Sequence, residues 1–333
     1  MFNPRISVVV LTHNRIARLL DTLKRLRALP ERPRIIVADN ASEDGTALLV
    51  GVMFPDVLLV PCKANLGAAA RNWAVGCVQT EYVAFCDDDT QWTPGSLDQA
   101  VRVLDACPHI GILNARIETG ATDVTAPDGE VMLQSRFDGT GLPGPSLVTY
   151  RAGACVMRTS VFRETGGYEP RFFIGGEEER VALDVLSAGY AIVRSPAAVV
   201  AHRPSPVRDR ALQRRVLARN AAWTAWQRLP LAEAWRATAR AIRCFRHERT
   251  LLADSLALLG GMPWCVHERR RVPDRVLALR AAVNRNPAVC DPLFHDPVNC
   301  DADRQKTSDV VARQPLHGDT RARQAAAHEN AHK

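Results

Sequence analysis

The most useful features of this 333-residue chain are first the ones it does not have. No apolar run approaches the roughly 20 residues that a membrane-spanning helix needs. The longest candidate, Leu251 to Trp264, is interrupted by Asp254 and by Gly260-Gly261, and suits at most a helix lying on a surface. The N-terminus enters an apolar run at Arg5-Ile6-Ser7-Val8 with no basic-then-apolar leader, so a cytoplasmic location is expected. No Cys-x-x-Cys occurs among nine cysteines, an odd number, which argues against a zinc ribbon and against a disulfide framework and for buried thiols in a reducing compartment. Gly-x-Gly-x-x-Gly is missing after the first apolar run, which disfavours a dinucleotide oxidoreductase; the Walker A lysine loop and Gly-x-Ser-x-Gly are missing too. No internal repeat is present.

What is there is an ordinary soluble composition, 47% apolar and 24% charged, with an arginine-rich formal net charge of +7. The first half alternates between two periodicities. Continuous apolar runs at Ile6–Leu11, Arg34–Ala38, Val57–Val60, Tyr82–Cys86 and Ile110–Ile117 predict strands buried on both faces. Between them, helical spacing predicts helices over Ile16–Leu29, Thr46–Met53, Ala68–Val78 and Ser96–Ala106. The fold class is therefore α/β, a mostly parallel sheet with helices on both faces. From Glu118 to Tyr150 the pattern gives way to Gly, Pro, Asp and Thr, which predicts loop. Regularity returns with a strand at Ala154–Met157, a helix from Glu177 to Ala188 and a strand at Ala191–Arg194. Beyond Pro206 an arginine-rich helical appendage is expected to about residue 283, with an unpatterned polar tail over 284–333.

In an open α/β sheet, ligands gather beyond the carboxyl ends of the strands. Each predicted strand of the first half ends there in polar residues: Thr12-His13-Asn14, Asp39-Asn40, Asn65-Leu66-Gly67, and Asp87-Asp88-Asp89. Three adjacent carboxylates repel one another unless a cation holds them, and Asp87 and Asp89 are spaced to offer oxygens to one Mg²⁺ or Mn²⁺. The competing reading is a turn or a helix N-cap. A second acidic cluster, Glu177-Glu178-Glu179, opens a helix, where the macrodipole favours carboxylates and where one of them would also serve as a general base. His202 closes the apolar run Val199-Val200-Ala201 and is a candidate metal ligand.

In order and spacing, Ile6–Arg15, Val37–Thr46, Asn65-Leu66-Gly67 with Arg71-Asn72, and Phe85–Asp89 resemble family 2 glycosyltransferases of the GT-A fold, similar to bacterial rhamnosyltransferase-like members. Gly176-Glu177-Glu178, Ala188-Gly189-Tyr190 and His202 extend the resemblance, which spans residues 5 to 205. It implies a catalytic domain over 1–205 and inverting transfer from a UDP- or dTDP-linked sugar to a glycan or lipid-linked glycan hydroxyl. It also implies roles. Asp39, with Thr12 and Asn14, lines the nucleotide pocket, and Asn65 and Gly67 lie beside it. Arg71 approaches the diphosphate, and Asp87 and Asp88 lie on the nucleotide sugar. Asp87, Asp89 and His202 hold Mn²⁺ or Mg²⁺, and Glu178 is the base, with Glu177 as alternate. Members of the family often carry aspartate where this chain has Glu178, which leaves Glu177 and Glu179 open. The rival readings are a sugar-nucleotide nucleotidyltransferase and an inactive sugar-nucleotide-binding scaffold. The arginines around Arg208–Arg219, with Trp223, Trp226 and Trp235, suggest contact with acceptor phosphate or an anionic membrane at its inner face. Without aromatic-interleaved basic strands, no nucleic-acid partner is expected.

Overall fold

The strand β1 (Ile6–Thr12) is buried along nearly its whole length, and its side chains alternate between two cores. Ile6, Val8 and Val10 enter one; Val9 enters the other. An apolar run of this kind occupies a sheet centre with both faces covered. The computed structural model describes residues 5–119, 142–203 and 210–284. In it β1 is flanked in parallel by β2 (Arg34–Asp39) and β4 (Tyr82–Asp87), and β3 (Leu58–Pro61) pairs in parallel with β2.

The intervening helices follow the predicted spacing. They are α1 (Ile16–Arg27), α2 (Thr46–Met53), α3 (Ala70–Gly76, entered through a short 3₁₀ turn) and α4 (Ser96–Ala106). Leu19, Leu23 and Leu26 form the buried face of α1, and Leu97, Ala100 and Leu104 that of α4.

Beyond β4 the sheet becomes mixed. Its order is β3-β2-β1-β4-β7-β6-β8-β5, with β5 (Thr90–Trp92), β6 (Ile110–Thr119), β7 (Cys155–Arg158) and β8 (Ala191–His202). β7 is antiparallel to both β4 and β6, β6 and β8 are parallel, and β5 is antiparallel to β8. The parallel half is the one that alternating periodicity predicts. The short β5 carries no period in its three residues; its pairing with the distant β8 makes it a strand.

Helix α5 (Thr159–Glu164) follows β7, and α6 (Glu177–Ser187) precedes β8. The C-terminal helices are α7 (Arg210–Arg228), α8 (Leu231–His247), α9 (Leu251–Gly260), α10 (Met262–His267) and α11 (Asp274–Asn284). They pack against the segment that leads into α6 through an aromatic cluster. Phe172 sits 6.2 Å from Trp223 and 6.1 Å from Trp264, and the two tryptophans stand edge to face at 5.8 Å. Arg228 clasps Asp184 of α6 through two nitrogens. The stretch read as loop at 118–150 falls largely outside the described residues, as does the expected tail beyond Asn284. No helix among the described residues is long and apolar enough to cross a membrane.

Candidate active site

Parallel register assembles the first part of the site. Thr12 lies opposite Asp39, and Leu11 opposite Asp87, so three strands end side by side. Asp39 is buried and its Oδ1 accepts the Ser42 amide at 3.0 Å. Asn14 closes the same loops: its amide donates to Ser42 Oγ at 3.0 Å, and its Oδ1 accepts the Glu43 amide at 2.7 Å. Asn40, unassigned from sequence, is a junction. Its Nδ2 donates to Asn65 Oδ1 at 2.8 Å and to the Gly67 carbonyl at 3.1 Å, and its Oδ1 accepts the Leu66 amide at 2.7 Å. Gly67 has a φ of 59°, and a Cβ there would run into the Phe173 backbone carbonyl. That carbonyl accepts the Ala68 amide at 2.6 Å, tying this turn to the segment that leads into α6.

The three aspartates diverge. Asp87 pairs with the buried Arg71 guanidinium, which also sits 5.7 Å over the Tyr168 ring. Burial opposes the charge on Arg71; Asp87, then Tyr168, Glu177 and Glu178 outweigh it and hold the pKa above the ordinary value. Asp88 turns inward. Its carboxylate takes Thr12 Oγ1 at 3.1 Å and Arg15 Nη1 at 3.0 Å, and its carbonyl takes Thr22 Oγ1 at 2.9 Å. Burial pushes its pKa up to about 6, against the pull of Arg15. These bonds build the loop. Asp89 is buried and faces His202, whose Nε2 lies 3.7 Å from Oδ1, with Arg15 at 3.5 Å on the other oxygen. The β5–β8 register, Thr90 opposite His202, makes this meeting possible.

Among the described residues, no three His, Cys, Asp or Glu side chains gather as a metal cluster. Asp89 and His202 do converge as a pair. One carboxylate and one imidazole suit Mn²⁺, with phosphate oxygens and water filling the rest of a shell. The donor types at Asp89 and His202 suit the expected ion, and Asp87 is engaged by Arg71 through one oxygen.

Gly153, also missed from sequence, fixes Asp87 from the other side. A Cβ at this position would sit far inside contact distance of Asp87 Oδ2, and Thr90 Oγ1 bridges the Asp87 amide (2.8 Å) to the Gly153 carbonyl (3.0 Å). Gly153→Ala is expected to swing the carboxylate aside. A displacement of about 1 Å at a reacting centre costs on the order of 10²-fold in rate. Donor turnover should fall by that order while the thermal midpoint moves little; unchanged turnover would show that the Asp87 position is not critical.

The glutamates separate around the first turn of α6. Glu179 pairs with Arg280 at 2.7 Å and is drawn toward α11. Glu177 is buried, and burial, then the neighbouring charge of Glu178, pushes its pKa up to about 8. One of its carboxylate oxygens has no hydrogen-bond partner. Glu178 is partly buried and feels Arg151, Arg71 and Asp87; burial, the largest influence, raises its pKa. Asp87 and Arg71 are both among the charges that bear on it.

The approach to this turn is held from α7. Asn220, fully buried, points its Nδ2 at the carbonyls of Phe172 (2.9 Å), Ile174 (3.3 Å) and Gly175 (2.6 Å). An asparagine in an arginine- and alanine-rich helix carries no sequence signal for such a role.

Residues 7–166 match the family model for glycosyl transferase family 2. An N-acetylglucosaminyl-diphospho-decaprenol L-rhamnosyltransferase of Mycobacterium tuberculosis is 27% identical, the match covering 59% of this chain and 75% of that one. The succinoglycan biosynthesis protein ExoM of Rhizobium meliloti is 29% identical over 60% of this chain and 67% of its own. Among solved structures, mannosyltransferase PcManGT from Pyrobaculum calidifontis, in complex with GDP-Man and Mn²⁺, shares the fold. Its TM-score is 0.50 at 20% identity, covering 94% of this chain and 81% of that one.

Proposed function

The chain belongs to glycosyl transferase family 2 through residues 7–166, and from that premise we propose that it moves a sugar, with inversion, from a uridine or thymidine diphosphate sugar to a hydroxyl of a glycan or lipid-linked glycan, with Mn²⁺ or Mg²⁺. The observation that carries the reading is the convergence on one sheet edge of Asp39, Asp87 and the Asp89–His202 pair, with Glu178 within electrostatic reach of Asp87 and Arg71. Support for the acceptor comes from the mycobacterial relative, whose name specifies a diphospho-decaprenol-linked sugar, and support for the metal from the Mn²⁺ in the fold neighbour.

Each residue then has a task. Asp39, with Thr12, Asn14 and the Asn40–Asn65–Gly67 junction, receives the base and ribose. Arg71 orients Asp87 and lends positive charge beside the diphosphate. Asp89 and His202 would hold the ion, which when bound stabilises the negative charge on the leaving diphosphate. Glu178 accepts the acceptor's hydroxyl proton. The acceptor oxygen then bonds to the anomeric carbon from the face opposite the diphosphate, and the bond from that carbon to the diphosphate oxygen breaks.

The test is a panel of nucleotide sugars with Mn²⁺, read by released nucleoside diphosphate and by the anomeric configuration of the product. One donor is expected to release its diphosphate. Release of pyrophosphate would favour a nucleotidyltransferase, and no turnover of any donor would favour an inactive binding protein.

A further inference from the structure

The cationic stretch expected to meet acceptor phosphate or an anionic membrane is partly engaged within the protein. Arg214 pairs with Glu248 at 2.7 Å, Arg215 with Asp254 at 2.5 Å, and Trp223 is buried against Trp264. The surface that stands open lies further on. Leu252, Leu256 and Leu259 recur on one face of α9 and are 76%, 61% and 61% exposed; Val266 of α10 is 58% exposed. Every exposed residue from Leu251 to Val266 is apolar or glycine. The acids nearby, Glu248 and Asp254, are the ones neutralised by Arg214 and Arg215. Immediately before this face, α8 and its closing turn expose Arg236, Arg240, Arg246 and Arg249.

We propose that the α9–α10 face is a docking surface for an anionic lipid bilayer, with Leu252, Leu256 and Leu259 entering the headgroup–acyl boundary and the α8 arginines meeting anionic headgroups. A short helix with an unbroken apolar face beside exposed arginines has the composition of an interfacial anchor, and none of these helices is long enough to span. Charge selects this occupant over a second copy of the chain. Two copies joined through this face would bring arginine ridges and two net charges of +7 together, whereas phosphatidylglycerol supplies the opposite sign. The surface gives the proposed lipid-linked acceptor a place to be met, but binding is measured without donor or acceptor and so stands or falls apart from the catalytic reading.

The experiment is sedimentation of the full chain with vesicles of equimolar phosphatidylglycerol and phosphatidylcholine, and with phosphatidylcholine alone. Wild type should sediment with the anionic vesicles, less as ionic strength rises, and weakly with phosphatidylcholine. The L252E/L256E/L259E variant should lose at least about 100-fold in partitioning, since each leucine removed from the apolar phase costs roughly tenfold. Glutamate is a good helix former, so the helix is retained; an unchanged thermal midpoint and unchanged donor hydrolysis check this. L48E/V52E removes an exposed apolar patch on α2, away from this face, and should bind as wild type does. Equal binding by wild type and the leucine variant overturns the proposal, as does failure of wild type to bind anionic vesicles. A wild-type dimer that the leucine variant converts to monomer, without vesicle binding, assigns the face to a second copy and also overturns it.

Discussion

Glu178→Gln is expected to lower sugar transfer by roughly 10²–10⁴-fold, the usual contribution of a general base, while nucleotide binding persists. The substitution keeps shape and removes only the ability to take a proton. Burial raises the Glu178 pKa, bringing the base closer to the pH at which it works. Wild-type transfer should therefore rise as pH climbs through that raised pKa, because the base must be ionised, and this limb should vanish in the variant. Stability moves the other way. A carboxyl whose folded-state pKa lies above its unfolded value contributes stability that is complete below the unfolded pKa and lost as pH rises through the folded one. Glutamine carries no charge to bury, so the variant should be at least as stable as wild type at neutral and alkaline pH. Loss of turnover with an undiminished thermal midpoint thus separates chemistry from folding. Turnover that survives in Glu178→Gln and disappears in Glu177→Gln would move the base by one residue.

Much of this site is local in the sequence. β1, β2 and β4 are continuous apolar runs, and the polar residues that follow them must share an edge once the strands are parallel; Thr12, Asp39 and Asp87 were legible for that reason. The bounds of α2 and α4 were legible to the residue, and the Leu97–Ala100–Leu104 spacing defines α4. What escaped is what depends on contacts between distant segments. The three-residue β5 has no pattern of its own, yet its pairing with β8 brings His202 to Asp89. The divergence of Asp87, Asp88 and Asp89 could not be read from adjacency; Arg71, Arg15 and Thr12 decide which way each carboxylate turns. Gly153 and Asn220 matter through what they stand against, an aspartate oxygen and three carbonyls, and neither residue type announces this. The arginines at 214 and 215 show the converse: a cationic run in the sequence is spent on internal ion pairs, and the open face belongs to leucines of the Leu251–Trp264 run, which suits a helix lying on a surface.

The sharpest test of how labour is divided among the aspartates is Asp89→Asn against Asp88→Asn. Asp89 is buried and its Oδ1 meets His202 Nε2, the one place among the described aspartates of this loop where a second metal-type donor converges. Asparagine there keeps the volume but loses the anionic oxygen that a hard divalent cation prefers. Mn²⁺ affinity, followed by the paramagnetic resonance of the free ion in the presence of the nucleoside diphosphate, is expected to fall at least about tenfold, the low end of what even an outer-shell partner of a ligand is worth. Turnover should fall with it, and His202→Ala should weaken Mn²⁺ in the same assay. Asp88→Asn should leave Mn²⁺ affinity nearly unchanged. Its carboxylate is taken by Thr12 and Arg15, and because burial raises its pKa, asparagine, with no charge to bury, should hold the loop with a thermal midpoint at least that of wild type at neutral pH. The contrast does not depend on turnover. If Asp88→Asn and Asp89→Asn weaken Mn²⁺ equally, the loop holds the ion through a different set of oxygens from those that converge on His202.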